Sequence, residues 1–342
     1  MSSELGVWSG EHHTLRDGFQ GTPPKSERVT LNDGGAEILK SPMRNDYQKE
    51  ARGLIKGKIL YDAPLKRFTS MRVGGPVDAL LFPRNVAELR ELVRTAKQKS
   101  IPILILGKGT NLIVRDQGVR GWMISLTQGM QKIKMKGDVV EAEAGVSLQR
   151  LVQSSMQKGL TGLEPFFGIP GTVGGGLIMN AGAWGAELKD NLLSLTLMTK
   201  DGDVVERPRS TLRFSYRRLH LPRGAIVLEG RFQLEKGTKK EILERVRSYS
   251  AMRKKAQPLN YPSAGSIFKN PKEGSAGRWI EEVGLKGYRV GQAVVSDLHA
   301  NFILNLGNAT ADEVIRLMEW MEQRVHETKG ISLEREVKVV GG

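Results

Sequence analysis

The sequence predicts a mixed α/β protein, and three observations carry that expectation. An apolar strand-like run, an amphipathic helical pattern and a second apolar run follow one another between residues 78 and 106. Further on, two apolar runs flank Asp201-Gly202, a dipeptide suited to a tight hairpin. The C-terminal part holds helical periods opened by capping signals and ends in another apolar run.

The elements follow in order. Residues 1–50 are rich in Ser, Gly, Asp, Glu and Lys, include Pro23-Pro24, and show no sustained apolar period, so a disordered extension is expected. From about Leu60 the pattern turns globular. Val73-Gly74-Gly75-Pro76 reads as a turn and Asp78 to Phe82 as a strand. Asn85-Val86-Ala87-Glu88 reads as a capping box opening a helix that buries Val86, Leu89, Leu92, Val93 and Ala96. Ile101 to Leu106 follows as a buried strand. Val139 to Ala144 is another strand. Ser147 caps a helix with Leu148, Leu151 and Val152 inward, ended by Gly159. Leu193 to Met198 and Val204-Val205 form the hairpin arms. Glu241 to Lys255 is helical by period, and Ser275 begins a short helix with Trp279, Ile280 and Val283 on one side. Thr310 to Glu313 is a second capping box, for a helix running to Gly330 on Val314, Leu317, Met318, Met321 and Val325. Val337 to Val340 is a terminal strand, and a domain junction is expected near 225–240.

Composition excludes several chemistries. Cysteine is absent from the 342 residues, which removes disulfides, thiolate metal sites, iron–sulfur clusters and a thiol nucleophile, and fits a reducing compartment. The histidines are scattered, with no H-E-x-x-H, so no metal site is expected. The most apolar run is too short to span a bilayer, and no secretory signal is visible at the N-terminus. The formal charge is +15. Residues 1–50 hold six basic and eight acidic groups, so the remainder carries 46 basic and 29 acidic groups, net +17. Such a body attracts anions: nucleic acid, acidic lipid or phosphorylated small molecules.

Five segments could carry chemistry. In Leu106-Gly107-Lys108-Gly109-Thr110-Asn111-Leu112, glycines after a strand let backbone amides approach phosphate oxygens. It is neither a Walker loop nor a complete G-x-G-x-x-G, and an ordinary strand-end turn is the competing reading. Gly168-Ile169-Pro170-Gly171-Thr172-Val173-Gly174-Gly175-Gly176 leads to Asn180-Ala181-Gly182-Ala183-Trp184-Gly185, with seven glycines in eighteen residues. Its apolar residues argue against a polar linker and for backbone packed on a large ligand, with a structural turn as the alternative. Tyr261 to Pro271 brings together Ser266, Lys269 and Asn270. No G-x-S-x-G elbow is present, so a hydrolase nucleophile is not expected. Phe214-Ser215-Tyr216-Arg217-Arg218 and Leu333-Glu334-Arg335-Glu336-Val337 complete the set, and either could be ordinary solvated charge.

Taken in order, with Thr69-Ser70-Met71-Arg72-Val73-Gly74-Gly75, Gly284-Leu285-Lys286-Gly287-Tyr288-Arg289 and His299-Ala300-Asn301-Phe302, these motifs make the sequence from Leu60 onward resemble the UDP-N-acetylenolpyruvoylglucosamine reductase (UDP-N-acetylmuramate dehydrogenase) family. The separation of 49 positions between Arg217 and Ser266 resembles the shorter class, which lacks an extra substrate-covering segment. Lys108, Gly176 and Arg335 stand where relatives commonly have glycine, alanine and proline.

The resemblance implies an α+β architecture: two FAD-binding subdomains of the vanillyl-alcohol-oxidase (PCMH) type at 55–125 and 126–232. A C-terminal α/β substrate-binding domain at 233–342 would follow, its terminal strand returning to the active site. It implies non-covalent FAD held by Arg72, Gly107, Lys108, Gly109, Thr110, Asn111 and Leu112, and by Gly168, Ile169, Pro170, Gly171, Thr172, Gly174 and Gly175. Neither glycine segment holds a histidine for covalent attachment. NADPH would be the hydride donor and an enolpyruvyl UDP-sugar the acceptor, in cytoplasmic peptidoglycan precursor synthesis. Hydride would pass from flavin N5 to substrate C3. Ser266 matches the family's proton donor to C2, Arg217 the arginine that stabilises developing charge, and Glu336 the assisting carboxylate. Tyr216, Lys269 and Asn270 match substrate contacts. The partners implied are small molecules, with no nucleic acid and no membrane insertion, on a monomer or weak oligomer. Two alternatives remain: another FAD-linked oxidoreductase or oxidase of the same fold, and a nucleic-acid-binding protein, for which no binding module is visible.

Overall fold

The computed structural model describes residues 44–342. Its first sheet runs in the order Lys58–Pro64, Pro76–Phe82, Val119–Ser125, Ile103–Leu106. The last three strands are mutually parallel, and Lys58–Pro64 is antiparallel to its neighbour. Pro76–Phe82 has a partner on each side and is buried at six positions, which is why it reads as a continuous apolar run. Ile103–Leu106 was expected to be buried throughout, but it is the sheet edge and leaves Ile105 43 % exposed. The helix Val86–Gln98 buries Leu89, Leu92, Val93 and Ala96, with Val86 packed partly against the same core. Asn85 Oδ1 accepts the Glu88 amide at 3.0 Å. The return half of the expected capping box differs: Glu88 accepts from the Arg84 and Lys56 amides instead.

A second sheet is wholly antiparallel, in the order Val204–Pro208, Leu192–Met198, Ile226–Gln233, Val139–Glu143, Ile133–Lys136. The Asp201-Gly202 hairpin forms as expected, with Gly202 at φ +87. The helix Val173–Ile178 lies against this sheet, and the helix Leu148–Gln157 packs beside it. One apolar core, including Leu81, Trp122, Val140, Leu151 and Phe232, runs across both sheets.

The C-terminal part adds helices Lys239–Ala256, Ala276–Glu282 and Ala311–Lys329 and a small sheet, Arg289–Val290, Ala293–Val295, Ile303–Asn305. The long helix opens with the complete Thr310/Glu313 capping box and closes on Gly330 at φ 68, so both of its signals were legible. Its buried Leu317, Met318 and Met321 share a core with Ile267, Phe268 and, from the first part of the chain, Met71 and Ile113. Asp116 joins the two regions, accepting the Ala311 and Asp312 amides at the helix N-terminus. The terminal strand Lys338–Val340 pairs in parallel with Leu112–Val114, immediately after the first glycine segment. Among the described residues no helix is long and apolar enough to cross a membrane.

The expected disordered extension through residue 50 needs correction at its end. Residues 1–43 lie outside the described residues, but Arg44–Ala51 is a helix. Tyr47 and Ala51 enter the core, and the Tyr47 carbonyl accepts Trp122 Nε1–H at 2.8 Å. Only two residues of this helix carry the burial, too few to set an apolar period against its charged face.

Candidate active site

Gly107 to Asn111 turns between the strands Ile103–Leu106 and Leu112–Val114. Gly109 has φ +63, and a Cβ there would lie 2.1 Å from the Phe68 carbonyl oxygen, so two backbones meet with no room for a side chain. The contact is held by Ser70, whose amide donates to Gly109 O at 3.1 Å and whose hydroxyl donates to Ser263 O at 2.6 Å. The backbone N–H groups of Lys108, Gly109 and Thr110 make no hydrogen bond among the described residues. Beside them opens a cavity of about 560 Å³, lined among others by Gly107, Lys108, Thr110, Ser125, Gln131 and Ser147. Unpaired amides, hydroxyls and a carboxamide around such a cavity fit the diphosphate and polar edges of a dinucleotide such as FAD. Arg67, not Arg72, is the arginine lining it. Arg72 is exposed, at φ 59.

The second glycine segment divides in two. The amides of Gly168, Gly171 and Thr172 make no hydrogen bond among the described residues. Thr172 faces the first loop, its Oγ1 being 3.0 Å from where a Gly107 Cβ would stand. Beyond Thr172 the amides are committed: Val173 to Val146 O, Gly174 to Ala144 O at 3.0 Å, and Gly175 to Thr172 Oγ1 at 3.2 Å. A Gly174 Cβ would lie 2.9 Å from that of Ala144, and one on Gly176 would meet Leu188 at 2.8 Å. These two glycines let the helix Val173–Ile178 pack closely, and Gly174 was grouped with the cofactor residues because spacing alone does not separate packing from ligand contact. Ile169 is packed partly against the main core.

Three distant chain segments converge next to these loops. Arg217 ends the turn of the hairpin Arg213–Ser215/Arg218–His220, at φ 56, a strained conformation for a non-glycine residue. Its Nε lies 3.3 Å from Glu336 Oε1, yet it has no well-aligned hydrogen-bond acceptor. Gly182 leaves space for this guanidinium, whose Nη1 would be 2.8 Å from a Cβ there. The Glu336 amide donates to Ile267 O at 2.8 Å, which sets Glu336 beside the residue following Ser266. The Asn111 side chain donates to Glu336 O at 3.1 Å and so ties the carboxylate's backbone to the first glycine segment. Burial pushes the Glu336 carboxyl up from its ordinary range, against the opposing pull of Arg217, Lys269 and Lys338. Ser266 is half-buried, and its hydroxyl has no hydrogen-bond partner among the described residues.

The remaining expected residues are less uniform. Lys269 is mostly buried and ion-paired with Glu334. Tyr216 is exposed, its ring 5.1 Å from the Arg217 guanidinium. Asn270 serves the fold: its Oδ1 accepts the Ala276 amide at 3.1 Å, supplying the helix cap that the Ser275 side chain does not make. Asn301 had no role assigned beyond its motif. It is buried, and its carboxamide takes the Phe268 amide at 2.9 Å and gives to Phe268 O at 2.8 Å, fixing the segment that carries Ser266. Its place in the His299-to-Phe302 motif was the available signal.

The chain is similar to known proteins over most of its length. Residues 77–207 match an FAD binding domain, and 257–340 match the C-terminal domain of UDP-N-acetylenolpyruvoylglucosamine reductase. The reductase of that name from Syntrophus aciditrophicus is 44 % identical over 310 residues, covering 89 % of this chain and 99 % of its own. That from Rubrobacter xylanophilus is 44 % identical over 283 residues, covering 82 % and 95 %. The crystal structure of the Thermus caldophilus enzyme superposes with a TM-score of 0.72 at 39 % identity, covering 84 % of this chain and all of that one. The α+β fold of the vanillyl-alcohol-oxidase type and the FAD cofactor expected from the motifs therefore stand. The chain belongs to the UDP-N-acetylenolpyruvoylglucosamine reductase family.

Proposed function

We propose that this chain reduces the enolpyruvyl ether of UDP-N-acetylglucosamine to UDP-N-acetylmuramate with NADPH, in cytoplasmic peptidoglycan precursor synthesis. The observation that carries the reading is the convergence of Arg217 and Glu336, 3.3 Å apart, on the segment holding Ser266. Residues 55–125 and 126–232 are proposed as two cofactor subdomains and 233–342 as the substrate domain. The separate mixed and antiparallel sheets support that division, and the pairing of Lys338–Val340 with Leu112–Val114 supports a terminal strand returning to the site.

FAD, when bound, would supply the hydride chemistry that links NADPH to C3 of the enolpyruvyl group. The unpaired amides of Lys108, Gly109 and Thr110 would hold its diphosphate. Arg217 lies against the substrate carboxylate and stabilises the negative charge that grows there as C3 is attacked. Glu336 orients that guanidinium, and its raised pKa lets it carry or share a proton at the same place. Ser266 Oγ–H gives its proton to C2. A hydroxyl is a weak acid, so this transfer needs the basic carbanionic centre that Arg217 helps to sustain. Lys269 and Tyr216 supply cationic and aromatic contacts for the UDP group.

The test is Ser266→Ala in anaerobic rapid mixing. Flavin reduction by NADPH should keep its wild-type rate, while reoxidation by the UDP-sugar slows by about 10²-fold or more. Equal losses in both half-reactions would remove the proton-donor assignment.

A further inference from the structure

The extended segment that carries Glu336 sends successive side chains to opposite sides. It lies antiparallel to residues 267–269: Lys269 N–H donates to Glu334 O at 2.8 Å, Glu336 N–H donates to Ile267 O at 2.8 Å, and Arg335 stands opposite Phe268. Glu334 pairs with Lys269 and Glu336 with Arg217, on the side of the candidate site. Arg335, between them, turns instead to the helix Ala311–Lys329. Its guanidinium takes Glu322 as a fork, Nε donating to Oε1 and Nη2 donating to Oε2 at 2.8 Å, and Nη2 lies 3.9 Å from Glu319 Oε1. Glu319 and Glu322 are like charges one helical turn apart, and among the described residues neither has another cationic partner. The Arg335 and Glu322 side chains are 29 % and 27 % exposed, so the pair is largely shielded. A shielded, bidentate pair fixes geometry in a way that a single exposed ion pair does not.

Little else ties this segment to the helix it follows. The helix is capped by Gly330, and the backbones of Ile331, Ser332 and Leu333 make no hydrogen bond among the described residues. Arg335 and Glu322 close that reversal across 13 positions. The helix itself is anchored at its other end, where Asp116 accepts the Ala311 and Asp312 amides. We propose that Arg335 is a positioning residue for Glu336: its fork on Glu322 fixes the rotation of the 334–336 backbone and so holds the Glu336 carboxylate against Arg217. This rests on the reductase reading above. The charged groups facing Glu336 are Arg217 from its hairpin, Lys269 from the serine segment and Lys338 from the following strand. All three are cations, and burial alone keeps the carboxyl above its ordinary value of 4.5. A Glu336 released from its place gains water and returns toward that value.

The experiment uses the full chain loaded with FAD, as Arg335→Met, Glu322→Ala and the two combined, with Arg335→Lys as the conservative variant. Both half-reactions are followed by anaerobic rapid mixing over a range of pH. Flavin reduction by NADPH should keep its wild-type rate in every variant. Reoxidation by the UDP-sugar should slow about 10-fold in each single variant. Because the two side chains act as a unit, the double variant should lose no more than either single one. The pH dependence of reoxidation should move to lower pH in all three, a change that lost stability alone does not produce. Arg335→Lys keeps the charge but not the fork and should fall between. The proposal is overturned if both single variants reoxidise at the wild-type rate with the wild-type pH dependence, whatever their melting temperatures. Equal losses in both half-reactions, or losses that add in the double variant, would overturn it too. Should Arg335→Met fail to fold, wild-type reoxidation in both Glu322→Ala and Arg335→Lys would count against it equally. A wild-type flavin that NADPH reduces but the UDP-sugar does not reoxidise would overturn the reductase reading itself, a result seen before any substitution is made.

Discussion

At Gly109 two constraints coincide that can be separated experimentally. The residue has φ +63, and a Cβ would stand 2.1 Å from Phe68 O and 2.9 Å from Thr69 Cα. The left-handed conformation alone costs an alanine about 1 kcal/mol. The second cost is larger because the opposing atoms are backbone and cannot rotate away. Relieving the contact means moving residues 67–70 by roughly 1 Å, at about 2–4 kcal/mol of stability. Those residues line the cavity, and the Ser70 amide is bonded to Gly109 O itself. Gly109→Ala should therefore weaken FAD binding by about 10- to 100-fold as well as lower apoprotein stability.

Gly137 is the matched control. It has the same φ of +63, but nothing lies within 4 Å of its Cβ position, at the turn between Ile133–Lys136 and Val139–Glu143. Gly137→Ala should show the conformational cost alone, about 1 kcal/mol, with FAD affinity unchanged. Urea unfolding of apoprotein and fluorescence titration with FAD read the two effects. If Gly109→Ala matched Gly137→Ala in both assays, the close approach of the 67–70 turn would have no part in shaping the site.

Asn301→Ala removes both side-chain bonds to Phe268, leaving its buried amide and carbonyl unpaired, and should cost about 2–4 kcal/mol with a drop in kcat; urea midpoints and turnover check this, and wild-type values for both would refute it. Glu336→Gln tests the raised carboxyl. Because the folded chain holds that proton more tightly than the unfolded one, its contribution to stability is present below the ordinary value of 4.5 and lost as pH rises through the folded-state pKa. The stability difference, glutamine variant minus wild type, should grow with pH above 4.5 and then level off, and a difference flat in pH would contradict the assignment. Removal of residues 1–51 should lower stability by about 3–5 kcal/mol, since Trp122 loses Tyr47 from its packing and the acceptor for its buried N–H. An unchanged melting temperature would show that the Arg44–Ala51 helix contributes nothing.

Much of the fold was legible because local chemistry and tertiary role agree. Asn85, Ser147 and Thr310 all accept the N3 amide of the helices they open, as short polar residues before apolar periods should. The glycine segments were legible as places of close approach. Their division of labour was not: Gly171 keeps a free amide and Gly174 fills a gap over Ala144, yet both are glycines in one motif. Which of the two a glycine does depends on the strand it faces, and that strand lies far away in the sequence.

The charged residues of the site follow the same logic from the opposite side. Arg217, in an arginine pair, reads as solvated charge. In the fold it lies beside a carboxylate whose own pKa is raised by burial. Such a buried pair recovers little of its desolvation from its own partner. It is understandable if the missing stabilisation comes from a bound anion, the substrate carboxylate of the proposed reaction. Sequence periodicity reports what the chain does to itself. An arginine that serves what the chain binds would show that role only where distant segments meet around a ligand site.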